Sequence, residues 1–232
     1  MNSLKAEIRK YAVSIGATLV GFSPTVRLKK APKSHRPEDI LPDAMTVIVF
    51  AIPITKGVLL YGPPTQYDNE MEILRYKLDF IMQETARFIE KYGWMAIPVT
   101  SDGPYFDWEP ERKHGRGDIS HKHAAEAAGL GIIGKNSLLI NPEYGNRLQL
   151  GSIITNVQLE PDPLLDESKK NTLCPANCNI CIDSCPVGAI GSNKSINQKL
   201  CRSYMYKDVG KESNIVVCNI CRKVCPIGIN NL

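Results

Sequence analysis

Hydrophobic spacing divides the first three quarters of this chain into alternating helices and strands. Leu4 to Ile15 places apolar residues at helical intervals and reaches a plausible stop at Gly16. Ala17 to Phe22 then reads as a short strand. Ala44 to Ile52 is continuously apolar, the pattern of a strand covered on both faces. Between them Pro32, Pro37 and Pro42 mark a loop, and the Tyr61–Thr65 stretch, with two adjacent prolines, marks a turn. A long amphipathic helix follows, with Leu74, Leu78, Ile81, Thr85, Phe88, Ile89 and Tyr92 on one face and Gly93 as its stop. Trp94 to Val99 predicts a strand, and Pro98 places it at an edge, because proline cannot donate to a ladder. Ser101 to Gly117 is polar and rich in glycine and proline, so a loop is expected. Ser120 to Gly129 predicts a helix with Ser120 at its cap. Strands are expected near Ile132–Ile140 and Gln149–Val157, and Pro161 to Lys170 reads as a linker.

At 232 residues the chain has room for one medium domain and one small one. Its net charge of +4 is mild. Cations concentrate at Arg27, Lys29, Lys30, Lys33 and Arg36, and again at Arg112, Lys113 and Arg116. Neither run carries a nucleic-acid motif or interleaved aromatics, so both read first as solvated surface, with an anionic ligand or a nucleic acid as the alternative. No apolar run approaches the roughly 20 residues that span a membrane. The N-terminal residues show no apolar signal core and no twin arginine, so a cytoplasmic location is expected.

The eight cysteines change this picture, because all fall between Cys174 and Cys225. Two runs echo each other: Cys178-Asn-Ile-Cys181-x3-Cys185-Pro186 and Cys218-Asn-Ile-Cys221-x3-Cys225-Pro226. This is the ferredoxin spacing, in which the last cysteine of each run ligates the other cluster. By that logic Cys174, Cys178, Cys181 and Cys225 hold one [4Fe–4S] cluster, and Cys185, Cys201, Cys218 and Cys221 hold the second. Pro175 stands where the first run would have another cysteine, and Cys201 lies upstream of the usual place. Both departures add loop slack. Two four-cysteine zinc sites would also use Cys-x2-Cys pairs, but need neither the x3-Cys-Pro ending nor ligands exchanged between runs. Disulfides would require an oxidising compartment.

Gly129-Leu-Gly131-Ile-Ile-Gly134 matches a dinucleotide fingerprint, yet the predicted order is helix, glycines, strand, the reverse of what that site requires. Glycines here still allow a backbone to approach a large flat or anionic group. With Ser120-His-Lys-His-Ala-Ala-Glu-Ala-Ala-Gly-Leu-Gly-Ile-Ile-Gly-Lys-Asn-Ser-Leu-Leu-Ile140, then Leu150 to Thr155, then the double cysteine set, the chain resembles the epoxyqueuosine reductases, cobalamin-dependent iron–sulfur enzymes related to reductive dehalogenases. The resemblance implies a nitroreductase-like α/β domain (1–165) binding base-off cobalamin, followed by a ferredoxin-like module (166–232) with two [4Fe–4S] clusters. It implies cofactor contacts from His121, Lys122, Gly131, Gly134, Lys135 and Asn136, and from Gly151 and Ser152. The family's acidic proton donor has a shifted counterpart in Ser101-Asp102-Gly103-Pro104, so Asp102 is a candidate donor, with Tyr105 and Tyr67 as further candidates. His121 and His123 are two apart and cannot form an i,i+4 metal pair. His35 and His114 carry no signal.

The expected activity is a corrinoid-dependent reduction. Electrons would come from a ferredoxin or flavodoxin, pass both clusters, and reach cobalt and then a small molecule or modified nucleoside. The alternatives are an electron carrier or activase for a partner corrinoid protein, and a flavin in the α/β domain. The chain ends at Leu232 without the family's helical-repeat domain, so tRNA is not expected as a partner.

Overall fold

The computed structural model describes residues 2–103, 105, 107–210 and 213–230. Pro104 and Leu232 lie outside the described residues. Helix α1 (Asn2–Ser14) ends where Gly16 adopts φ +115°, a conformation that glycine takes without strain. Strands β1 (Leu19–Pro24) and β2 (Thr46–Pro53), the long helix α2 (Pro64–Glu90) and strand β3 (Ala96–Val99) follow, then helix α3 (His121–Ala127) and strand β4 (Leu148–Thr155). The four strands form one antiparallel sheet in the order β1-β2-β4-β3. Pro98 stands on the edge strand, as its missing N–H requires. Gly93 follows α2 at φ +83° and ends it.

The apolar run of β2 is explained by its two covers. Ile48, Phe50 and Ile52 face α1 and α2, packing with Ile8, Leu78, Ile81 and Phe22. Val47, Val49 and Ala51 face the opposite way and pack with Ala124, Ala125 and Ile154. Full burial of each large apolar side chain contributes roughly 1.5–3 kcal/mol, so the sheet is held from both sides. Tyr11 of α1 stacks on Phe88 of α2 with ring centroids 4.6 Å apart. Tyr67 is buried in this first layer and not in a site.

Four expectations need correction. Ile132–Ile140 is not one strand: Ile132–Ile133 pairs with Leu139–Ile140, and a tight turn at 134–138 reverses the chain. The turn closes through Gly134 N to Leu138 O at 2.9 Å, with Ser137 at φ 59°. The Ser101–Gly117 loop contains a short ladder, Asp107–Glu109 against His114–Arg116. Ser120 occupies the cap position of α3, but its hydroxyl meets His123 Nδ1 at 2.7 Å and caps no backbone N–H. The expected linker is tied down, because the Asp162 carboxylate accepts from Lys5 (2.7 Å), Arg9 (2.8 Å) and the N–H of Phe22 (3.0 Å).

The cysteine segment repeats in geometry as it does in sequence. Ile180–Asp183 and Ile220–Lys223 are single helical turns that pack against each other. The residues before them, Asn179 and Asn219, share nearly the same backbone angles (φ −123° and −134°, ψ 10° and 18°). Between the runs lie helix α4 (Gln198–Met205) and the hairpin of β5 (Tyr206–Gly210) with β6 (Ser213–Val216). Val216 N donates to Asp68 of α2 at 2.8 Å, anchoring the hairpin to the first layer.

Candidate functional site

A cavity of about 940 Å³ opens on the α3 side of the sheet. Its size is at the upper end of ligand pockets, and it suits a large group. Loops form most of its wall: the segment after β1 with Arg27, Leu28 and Lys30, then Thr100, Ser101, Asp102 and Tyr105, and Gly115 to Ile119. Helix α3 supplies His121, Lys122 and His123, and Gln198 stands at the start of α4. The two basic runs, expected to be solvated, send Arg27, Lys30 and Arg116 to this one cavity. His35, which carried no signal, lines it too, with Nδ1 2.9 Å from Gly117 O. Spatial convergence of distant loops has no mark in either run alone. The wall sets these cations beside the carboxylates of Asp102, Asp118 and Glu126 and apolar Leu28, Val99, Ile119 and Leu164.

Of the predicted residues, Asp102, Tyr105, His121, Lys122 and Gly131 line this cavity. The Asp102 carboxylate pairs with Arg75 of α2. The Tyr105 hydroxyl lies 3.4 Å from Asp102 Oδ1 and accepts from Arg202 Nη2 at 2.7 Å. The Arg202 guanidinium lies over the rings of Tyr105 and Trp108, 4.8 and 5.3 Å from their centroids. Arg75 and Arg202, which the sequence reading missed, thus hold both candidate proton donors.

His121 Nε2 is 2.8 Å from Thr100 O, and Nδ1 is 2.9 Å from Ser152 Oγ. A carbonyl only accepts, so Nε2 carries the hydrogen and Nδ1 accepts from the serine. Burial lowers the His121 pKa against smaller opposing effects from Thr100 and nearby aspartates, so the neutral ring is favoured. Ser152 supports the cavity through His121. Gly151, one residue earlier, faces the other way, and a Cβ there would stand 2.6 Å from Met82 Sδ. The side-chain alternation of β4 separates the two. Lys122 donates to Ser137 O at 3.1 Å, and burial lowers its pKa.

The rest of the glycine block turns to the cysteines. A Cβ on Gly131 or Gly134 would meet Ile140 at 2.4 Å, and one on Gly129 would meet Pro163 O at 2.1 Å, so these glycines answer first to packing. Lys135 Nζ donates to Ala176 O (2.6 Å), Cys178 O (2.8 Å) and Asn179 Oδ1 (2.9 Å). Buried Asn136 donates to Cys221 O at 3.1 Å. Both residues line a second cavity of about 120 Å³, together with Cys174, Cys178, Cys181 and Cys225.

All eight cysteines are free thiols. Burial raises the pKa of Cys181, and Cys174, Cys225 and Cys178 add to the rise. Burial likewise raises that of Cys201, with Cys218 and Cys185 contributing. Cys221 is pushed up to about 11, first by burial, against a lowering effect of Arg222 and with further rises from Cys201, Cys218 and Cys181. These neighbours place Cys181 among Cys174, Cys178 and Cys225, and Cys201 beside Cys185 and Cys218. Among the described residues no group of three or more His, Cys, Asp or Glu is arranged to hold a metal ion. The first set instead surrounds a hollow, which suits a polynuclear group.

No protein-family model matches the chain. It is 27% identical over 254 residues to an epoxyqueuosine reductase of Staphylococcus aureus, covering 96% of this chain and 64% of the relative's length. A solved epoxyqueuosine reductase from Streptococcus thermophilus superposes with a TM-score of 0.69 at 26% identity, over 97% of this chain and 66% of that one. A reductive dehalogenase whose structure suggests a mechanism for B12-dependent dehalogenation shares the fold, with a TM-score of 0.68 at 16% identity over 97% of this chain and 32% of that one. The resemblance drawn from the glycine block and the cysteines therefore holds, and the fold is the mixed α/β fold of these enzymes. One expectation is overturned. An epoxyqueuosine reductase solved with an epoxyqueuosine-modified tRNA-Tyr stem loop also superposes on this chain, with a TM-score of 0.65 at 22% identity over 97% of this chain and 65% of that one, so tRNA cannot be set aside as a partner. The flavin alternative gains no support from these relatives. Among the described residues no helix is long and apolar enough to cross a membrane.

Proposed function

We propose that this chain is a cytoplasmic, corrinoid-dependent oxidoreductase that reduces epoxyqueuosine in a tRNA stem loop. Residues 1–165 would form a nitroreductase-like cofactor layer, and 166–232 a ferredoxin-like module with two [4Fe–4S] clusters. The observation that carries the reading is the shared wall: Gln198 lines the large cavity and begins the helix that bears Cys201. Its side-chain amide also exchanges two hydrogen bonds with the Gly115 backbone, at 3.0 and 3.2 Å. An electron held at the second cysteine set would reach the cavity by way of this helix.

A bound corrinoid would supply the low-potential cobalt reductant that the protein's own side chains lack. Arg27, Lys30 and Arg116 would attract phosphate, either of a nucleotide tail or of RNA. His121, fixed by Thr100 and Ser152, shapes the floor beside α3. Asp102 and Tyr105 would hold the proton at the rim, with Arg75 and Arg202 fixing both oxygens. Reducing an epoxide to an alkene takes up two electrons and two protons and releases the oxygen as water. A ferredoxin or flavodoxin would deliver the electrons one at a time, and one-electron clusters match that supply.

The test is anaerobic purification with iron, zinc and cobalt analysis, addition of cob(II)alamin followed by visible spectroscopy, and turnover of epoxyqueuosine-containing tRNA stem loop with a low-potential donor. The expected result is about eight irons per chain, a base-off corrinoid spectrum and conversion of the nucleoside. Stoichiometric zinc without iron, or no affinity for a corrinoid, would overturn the proposal.

A further inference from the structure

The two cysteine runs differ at three positions, and two of these differences change the charge. After Cys181 the first run continues Ile182-Asp183, and after Cys221 the second continues Arg222-Lys223. Arg222 is only 7% exposed. Its guanidinium donates to Asn146 O, and among the described residues it forms no ion pair with a carboxylate. A buried cation without an anion is strongly unfavourable, so its counter-charge has to be found nearby. Cys221 precedes it in the chain, and Asn146, whose carbonyl holds the guanidinium, donates through its own amide to Cys221 O at 3.4 Å.

We infer that Arg222 is a positioning residue: the built-in counter-ion of the Cys185–Cys201–Cys218–Cys221 site, which makes that site the higher-potential of two iron–sulfur clusters and the resting place of the electron. The inference rests on the two-cluster reading above. Four thiolates leave such a cluster anionic, and reduction adds one more negative charge, so a fixed buried cation favours the reduced form. The first site has its own cation in Lys135, but that ammonium is partly exposed and solvent screens it. Asp183 of the first run lies on the exposed side of its turn. Arg202 follows Cys201 in the chain and adds a second positive charge to that segment. One electron leaves the first cluster as the second takes it up, and a low-potential one-electron donor protein refills the first. Transfer then runs toward the site whose helix α4 borders the large cavity.

The test is potentiometric titration of the reconstituted, anaerobic protein followed by electron paramagnetic resonance. The signal lost in Cys201→Ala identifies the second cluster. In Arg222→Met the reduced-to-oxidised ratio of that cluster at a fixed potential should fall about tenfold, equivalent to about 59 mV for one electron. The first cluster should stay where it was, and Arg222→Lys should retain most of the wild-type potential. Ile182→Arg provides an independent arm if Arg222→Met loses its cluster, and should raise the potential of the first cluster. Two intact clusters with no selective shift in Arg222→Met, or no rise in Ile182→Arg, would refute the inference while leaving the two-cluster reading in place. Wild-type protein without iron would overturn both.

Discussion

Replacing Asn136 with alanine tests whether the glycine block acts on the cysteine module. Asn136 is 1% exposed and makes two hydrogen bonds: its amide donates to Cys221 O at 3.1 Å, and its Oδ1 accepts from Leu138 N at 3.2 Å. Each neutral bond contributes about 1 kcal/mol net, and a donor left unpaired in a half-buried turn costs about 1–3 kcal/mol. Cys221 O retains Asn146 Nδ2 at 3.4 Å, so the carbonyl is not stranded. The expected loss for Asn136→Ala is therefore about 3 kcal/mol, with the Leu138 N–H as its largest part. Asn136→Asp separates the contributions. It preserves the acceptor for Leu138 but sets a carboxylate against the Cys221 carbonyl, so its damage should fall on the Cys221 side. The assay is anaerobic urea denaturation followed by circular dichroism, with paramagnetic resonance of the loaded clusters. A loss below about 0.5 kcal/mol in Asn136→Ala, with unchanged signals in both variants, would show that the contact carries nothing.

Gly129→Ala places a Cβ 2.1 Å from Pro163 O at φ +74°, where neither backbone can yield cheaply. It should cost about 2–4 kcal/mol in denaturant titrations. His121 resists protonation in the folded state, whereas the unfolded chain takes a proton near pH 6.5. Its contribution to stability is therefore complete above about pH 6.5 and lost as pH falls below it. Denaturation midpoints measured from about pH 5 to 8 should show that decline, and His121→Asn should flatten it. Tyr105→Phe keeps the stack on Trp108 and the Arg202 contact with the ring, but removes the hydroxyl and the hydrogen bond it accepts from Arg202. If this hydroxyl handles the proton, turnover of the loaded protein should fall about 10²-fold or more with little change in substrate affinity, read as kcat against KM.

Local chemistry was readable where one residue decides one feature. Gly16, Gly93 and Gly129 end helices because each takes a positive φ. Pro98 marks an edge because it has no N–H to share. The cysteine spacing foretells which thiols become neighbours, since Cys225 reaches back to Cys174, Cys178 and Cys181. What failed concerned meetings between distant segments. Alternation alone cannot separate a nine-residue strand from two short ones folded on each other, and Ile132–Ile140 is the second case. Gly151 and Ser152 are adjacent in sequence but face opposite sides of the sheet, so a contact assigned to both could hold for one only. The basic runs leave a solvated face and an anionic ligand both open, because their convergence on a single cavity depends on loop packing that no periodicity records.

The exchange of cysteines between the runs bears on how the protein is made. On the proposed two-cluster reading, Cys225 would close the set begun by Cys174, Cys178 and Cys181, and Cys185 would join the set that Cys201, Cys218 and Cys221 complete. During synthesis neither set can be finished while the second run is still inside the ribosome. Iron delivered early would find only partial claws. Maturation should therefore follow release of nearly the whole segment, and the two sites should fill as a pair, with single-cluster forms scarce at intermediate iron supply.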